Sequence, residues 1–347
     1  MNYYRHLVKK GIQFDFICMY SSLAYEKEIK ELGGEIFYVP NVKKHMIGFE
    51  KKLKKIISEN QYSVVHINML SAANIVPLKV AFRLNVPKII VHSHNTNAPG
   101  YLRNFLHKKN MSFVHKYATD FWACSYQAAK WLYGEKNADS AVVIQNAVEV
   151  EKFLFNLKIR KQIRERMGIK EDTLVLGHVG RMEEQKNHTF LLDIFHTVLR
   201  KHENTLLLLV GDGILREELQ KKAEMLGIQE KVKFLGRRED INKLFNSMDV
   251  FVFPSLYEGL SVTVIEAQCA GLPCLASTGV VEETIVTDIF ERLSLNESKE
   301  QWAEKILDLA KKLRNEKEND RIYKKITEAG FNIEVEAEKV YDIIKHG

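Results

Sequence analysis

The segment Pro254-Ser255-Leu256-Tyr257-Glu258-Gly259-Leu260-Ser261 runs on to Glu266 and closes on Gly271-Leu272-Pro273. Glu258 ends a strand-loop passage, and Glu266 falls inside the helix that follows. Ionised carboxylates only accept hydrogen bonds, so such a pair is suited to hydroxyls of a sugar and a ribose. The amides of Gly259, Leu260 and Ser261, at a helix start, are free to face a phosphate oxygen. A second segment, Gly180-Arg181-Met182-Glu183-Glu184-Gln185-Lys186-Asn187-His188, follows an apolar run and precedes a helix expected from about Thr189. Arg181 and Lys186 beside a helix N-terminus suit a diphosphate, although loop cations are commonly only solvated. A third, Val210-Gly211-Asp212-Gly213-Ile214, invites comparison with a dinucleotide fingerprint. Arg216 stands where the third glycine belongs, so the segment reads as a tight turn with close backbone approach.

Residues of these types act together only if a scaffold brings their loops to one place. Short apolar, β-branched runs alternate with helical patterns along the whole chain, the signature of parallel sheets with helices on both faces. Strands are predicted over 14–18, 35–39, 64–67, 88–92, 120–124 and 142–145, and then over 175–179, 206–210, 232–235, 250–253, 273–276 and 292–295. The polar stretch from Asn146 to Phe153 separates the sets. The reading is therefore an α/β protein of two doubly wound domains, residues 1–150 and 151–330, facing each other across a cleft. A last helix within 331–347 packs on its own domain or back on the first. Ligands of open α/β sheets lie beyond the carboxyl ends of the strands, where all three segments fall.

At 347 residues, with 46% hydrophobic and 28% charged residues, the chain is long enough for two cores. No window of about 18 apolar residues is present and no signal-peptide core opens the chain, so a cytoplasmic protein is expected. Cys18, Cys124, Cys269 and Cys274 lack the spacing of a zinc or redox site and read as buried thiols. His92-Ser93-His94 lacks further zinc ligands. The net charge of +6 hides an asymmetry: residues 1–150 carry 20 Lys and Arg against 11 Asp and Glu, while the remainder is slightly acidic. Lys43, Lys44, Lys51, Lys52, Lys54 and Lys55 cluster about one amphipathic segment with His45, Met46, Ile47, Phe49, Leu53, Ile56 and Ile57. It suits an anionic membrane surface at the inner face of the cell, or is an ordinary helix with a solvated lysine face. Nucleic acid is not expected, because no aromatics are interleaved with these lysines.

The glutamate segment, with Gly180-Arg181, Gln185-Lys186-Asn187 and Gly211-Asp212-Gly213 upstream, resembles retaining glycosyltransferase family 4 of the GT-B fold. Val91-His92-Ser93-His94-Asn95-Thr96, Trp122-Ala123-Cys124-Ser125 and Ile144-Gln145-Asn146-Ala147-Val148 are similar to its exopolysaccharide and capsule members. The resemblance implies transfer of a sugar with retention from a nucleoside-diphosphate sugar, a UDP-sugar, to a glycan or lipid-linked oligosaccharide, with no metal or other cofactor. It implies that Arg181 and Lys186 hold the diphosphate and that Glu258 accepts hydroxyls of the transferred sugar. Glu266 takes the ribose, Gly180, Gly259, Leu260 and Ser261 line the donor, and the Gly236-Arg237 loop lies by the base. His94 matches a histidine facing acceptor or sugar, with His92 two residues away left open as the alternative.

The family's chains also open with a strand and a glycine-rich loop ahead of the helix that resembles residues 1–7. The first domain is accordingly expected to lack its first strand, and two neighbouring strands either pair directly or leave open edges. Ala147 in place of a frequent glycine and Ser261 in place of a frequent proline are mild departures. Two other functions stay open: a sugar-nucleotide epimerase of the same fold, and an impaired protein that binds a nucleotide sugar without turning it over.

Overall fold

The computed structural model describes residues 1–95 and 100–346, so Thr96 of the histidine segment lies outside the described residues. The chain divides into two compact units, Met1–Asn146 with Glu334–Gly347, and Ala147–Ile333.

In the first unit the strands are β1 (Phe16–Cys18), β2 (Ile36–Tyr38), β3 (Val64–Met69), β4 (Lys88–Ser93), β5 (Asp120–Ala123) and β6 (Val142–Val143). β1 and β2 pair in parallel with each other, while β3-β4-β5-β6 form a separate parallel sheet. Among the described residues no ladder joins the two, so β1 and β3 each keep an edge without a strand partner. The central strand β4 is buried nearly throughout, while β3 alternates half-buried and exposed positions, as an edge strand does. One core lies under the helices Met46–Asn60, Val76–Arg83 and Tyr126–Tyr133. A smaller one joins Leu7, Ile90, Trp122 and Ile144 to Val340 of the final helix, Ile333–His346. Lys88 Nζ donates to the Ile343 carbonyl at 2.5 Å, and Lys10 pairs with Glu338, which fixes that helix to this unit.

The second unit holds β7 (Leu174–Val179), β8 (Thr205–Val210), β9 (Val232–Gly236), β10 (Val250–Phe253), β11 (Cys274–Ser277) and β12 (Phe290–Leu293). Every ladder is parallel, in the order β12-β11-β10-β7-β8-β9. β7, β8, β10 and β11 are buried at every position, because helices cover both faces of a parallel sheet and their apolar runs need no polar side. The order reverses between β7 and β10, whose following connections therefore leave in opposite directions and open a crevice at their carboxyl ends. β12 begins two residues before the sequence pattern suggests.

Asp249, just before β10, takes Arg160 at 2.6 Å, Arg164 at 2.7 Å and the Val175 amide at 2.8 Å, tying helix Leu157–Arg166 to the start of two strands. The entry and exit of this unit are also joined: Val148 N donates to Phe331 O at 2.8 Å, and Ile333 N to Val148 O at 3.0 Å.

Candidate active site

The loops after β7 and β10 meet at the crevice. Residues 180–187 leave β7, pass through a short 3-10 turn at Glu184–Lys186, and reach Asn187 in the left-handed region at φ 53°. That reversal starts the helix His188–Lys201, one residue earlier than its sequence pattern suggests. The β10 loop is tied to it by Leu256 N donating to Gln185 O at 2.8 Å and Gln185 Nε2 donating to Tyr257 O at 3.0 Å. Lys186 Nζ then lies 2.6 Å from Glu258 Oε1, with side-chain exposures of only 16% and 8%. The same ammonium sits 4.7 Å over the ring of Phe253, the last residue of β10.

Beneath this pair lie His178 and His188, both buried, with rings 4.4 Å apart. Burial, and then the neighbouring Lys186, pushes His188 down to about 4, so the pair is uncharged at neutral pH and the loop's buried positive charge resides on Lys186.

The glycine-aspartate-glycine turn supports this loop through its backbone. Gly180 N donates to Val210 O at 2.9 Å, Met182 N to Asp212 O at 3.0 Å, and Leu215 N to Met182 O at 3.1 Å. A Cβ on Gly211, whose φ is 133°, would fall 2.0 Å from Gly180 O, and one on Gly213 would fall 2.4 Å from Met182 O. Both glycines are there for close approach of two loops, as the sequence implies. Gly279 does the same for the β10 loop: Glu258 N donates to its carbonyl at 2.9 Å, and a Cβ there would meet Leu256 O at 2.4 Å.

The other expected residues lie at different depths. Glu266 is on the helix Val262–Cys269, half-buried, with no side-chain hydrogen bond or ion pair among the described residues. Burial alone raises its carboxyl to about 7. Ser261 is buried at the N-cap of that helix, and its hydroxyl does not cap it. Arg181 is not brought to the Lys186–Glu258 pair: its side chain is 73% exposed and bonds Glu183 at 2.8 Å. Arg237, after β9, is exposed and makes no ion pair or hydrogen bond among the described residues.

In the first unit, His92 is buried and His94, just beyond β4, is half-buried, with ring centroids 4.1 Å apart. Of the two, His94 has the more accessible ring. Phe253 and Gly279 went unnoticed in the sequence, and Gln185 was noted only as part of a motif, since each acts through a contact with another strand or loop. Asn68 and His66 were also missed, although His66 and Asn68 alternate with apolar residues on β3, which was a usable signal.

A doubly wound parallel sheet of this order, with two loops converging at its switch point, defines an α/β protein of the kind that takes ligands there, and the comparisons specify the family. The family model "Glycosyltransferase Family 4" matches residues 1–152 and "Glycosyl transferases group 1" matches residues 159–328. The protein named glycosyltransferase EpsF in Bacillus subtilis (strain 168) is 35% identical over 319 residues, 88% of this chain and 82% of its own. The UDP-Gal:alpha-D-GlcNAc-diphosphoundecaprenol alpha-1,3-galactosyltransferase of Escherichia coli is 28% identical over 70% of this chain and 65% of its own. The chain belongs to the group 1, family 4 glycosyltransferases, of the exopolysaccharide type. Its fold is GT-B, with two Rossmann-like domains. A glycosyltransferase from Rickettsia africae ESF-5 superposes with a TM-score of 0.78 at 19% identity, covering 100% of this chain and 94% of that one. Anabaena HepE, solved in complex with UDP, gives 0.73 at 18% identity over 98% and 91%.

The apolar members of the lysine segment divide between the core and the surface. Phe49, Leu53, Ile56 and Ile57 of helix Met46–Asn60 are buried in the core, which leaves Met46 and Ile47, 58% and 82% exposed, as its outward apolar residues. No helix among the described residues is long and apolar enough to cross a membrane.

Proposed function

We propose that this chain is a retaining, metal-independent transferase that moves a hexosyl group from a UDP-sugar to a glycan or lipid-linked oligosaccharide during assembly of a cell-surface polysaccharide. The observation that carries the reading is the Lys186–Glu258 pair at the β7/β10 switch point. A buried ammonium there answers a diphosphate, and a carboxylate one hydrogen bond away receives the hydroxyls of the sugar attached to it. Glu266, desolvated and without a partner among the described residues, takes the ribose hydroxyls. Arg181 swings from Glu183 to the diphosphate, and Arg237 lies by the base. The amides of Gly259, Leu260 and Ser261, with Gly180, line the donor.

In the transfer, the bond from the sugar's anomeric carbon to the diphosphate oxygen breaks and a bond from that carbon to the acceptor oxygen forms on the same face. The acceptor hydroxyl gives its proton to the departing phosphate oxygen, releasing the nucleoside diphosphate. Lys186 and Arg181 stabilise the charge that grows on that diphosphate, and His94 faces the sugar or acceptor. The relatives' names support both substrates: one protein is named for UDP-Gal and a diphosphoundecaprenol acceptor, and the structural neighbour HepE holds UDP. Lys43, Lys44, Lys51, Lys52 and Lys54 with Met46 and Ile47 provide contact with the anionic inner surface of the cell membrane, which would bring the enzyme to a lipid-linked substrate.

The deciding experiment incubates the chain with a panel of UDP-sugars and a lipid-linked acceptor, with and without EDTA. UDP release that depends on acceptor, with a product of unchanged anomeric configuration, is expected. Epimerised donor without release of UDP, an inverted product, or loss of transfer in EDTA would overturn the corresponding part of the reading.

A further inference from the structure

A row of histidines runs from the middle of β3 to the carboxyl end of β4. His66 on β3 and His92 on β4 are nearly coplanar, 9° apart, with Nε2 of the first 3.2 Å from Nδ1 of the second. Trp122 meets both edge-on. Burial drives His92 down to about 2, so it adds no charge beside His94 at neutral pH. His94 lies beyond the end of β4, half-buried, and Asn68 holds it from the side: His94 Nε2 lies 2.7 Å from Asn68 Oδ1. The geometry is braced by the backbone, since Asn68 pairs with His92 in the ladder and His94 N donates to Met69 O at 3.2 Å.

An amide oxygen only accepts, so a neutral imidazole bonded to it must carry its proton on Nε2. Its Nδ1 then keeps a lone pair and has no hydrogen bond among the described residues. We propose that Asn68 is a positioning residue that locks His94 in the Nε2–H tautomer, so that His94 meets its ligand as a hydrogen-bond acceptor through Nδ1. This rests on the reading of His94 as facing sugar or acceptor. It adds the chemistry of what is recognised: a hydroxyl, which can donate, and not a carboxylate or phosphate oxygen, which cannot.

The test uses the full chain with 15N-labelled histidine, His94 being assigned by comparison with His94→Ala. Asn68 is exposed, so Asn68→Leu and Asn68→Asp should melt as wild type does. The ring nitrogen shifts of His94 are expected to show Nε2–H in wild type and in Asn68→Asp, where the carboxylate also accepts and raises the His94 pKa. Asn68→Leu should give mixed tautomers, with kcat for transfer falling about tenfold and the KM for donor unchanged, the size of one lost hydrogen bond. Nδ1–H in wild type, or an unchanged tautomer in Asn68→Leu, overturns the lock whatever the activity. Wild-type transfer by His94→Ala overturns instead the reading of His94 on which the proposal rests.

Discussion

Lys186 and Glu258 come from loops after two different strands and meet at 2.6 Å, nearly out of solvent, with the lysine resting on Phe253. Desolvation of both ions is offset by their contact and by the aromatic face. On the proposed reading a diphosphate would not meet a bare lysine. It would share one that a carboxylate already orients.

Removing either partner should leave an uncompensated charge. Lys186→Ala is expected to weaken UDP-sugar binding by about 1.5–3 kcal/mol and to lower the melting temperature as well. The double variant Lys186→Ala/Glu258→Ala should be more stable than the lysine variant alone. Calorimetric titration and melting curves on the four proteins make the cycle, and unchanged donor affinity in all of them would remove the phosphate role.

Glu266 gives the site a pH dependence. Its carboxyl is raised to about 7 in the fold against an ordinary value of 4.5. The contribution of this group to stability is thus fully present below pH 4.5 and is lost as pH rises through 7. Glu266→Gln should melt higher than wild type at pH 8 and much the same at pH 4.5. Donor binding runs the other way, because an ionised carboxylate accepts the ribose hydroxyls best. Affinity for a UDP-sugar, whose phosphates do not titrate in this range, should rise between pH 6 and 8 in wild type and stay flat in Glu266→Gln. A flat wild-type profile would count against the ribose assignment.

Asp249 anchors Arg160 and Arg164 together, and the side chain of Arg164 is only 5% exposed. Asp249→Asn keeps the shape and removes the charge that both arginines face. A loss of about 3–5 kcal/mol is expected, the cost of leaving a buried ion unpaired. Denaturant unfolding of the variant measures it, and a loss below about 1 kcal/mol would mean that the backbone carbonyls around Arg164 suffice.

The surface lysines predict salt-sensitive sedimentation with vesicles containing anionic lipid. Replacing Lys51, Lys52 and Lys54 with serine should weaken it, and Met46→Ser/Ile47→Ser should weaken it further without unfolding the helix, since both residues point outward. Equal binding to neutral vesicles would exclude an electrostatic attachment.

The twelve strands among the described residues were legible in the sequence, most of them as short apolar, β-branched runs between helical patterns. The loops that carry Lys186 and Glu258 were legible for a related reason: strand ends and helix starts are marked by glycine, proline and charge. What one strand's loop does to another's was not. Gln185 and Gly279 matter through backbone bonds to residues about 70 and 20 positions away, and Arg181 was expected beside Lys186 but bonds Glu183 instead. The depth of a side chain is likewise a property of the assembled sheet, which is why His92 and His94 could be separated only by their burial.

The bridge between Val148 and Phe331–Ile333 bears on the history of such chains. Residues 147–333 begin and end at two backbone hydrogen bonds across one strand-like contact. A segment whose ends are clamped side by side satisfies its own termini, and the rest of the chain needs to bridge only a few ångströms where it is removed. The unit that carries the proposed donor site is therefore built as a cassette. On the proposed reading, recombination at a single cut point in space would couple a new sugar donor to an old acceptor in one step.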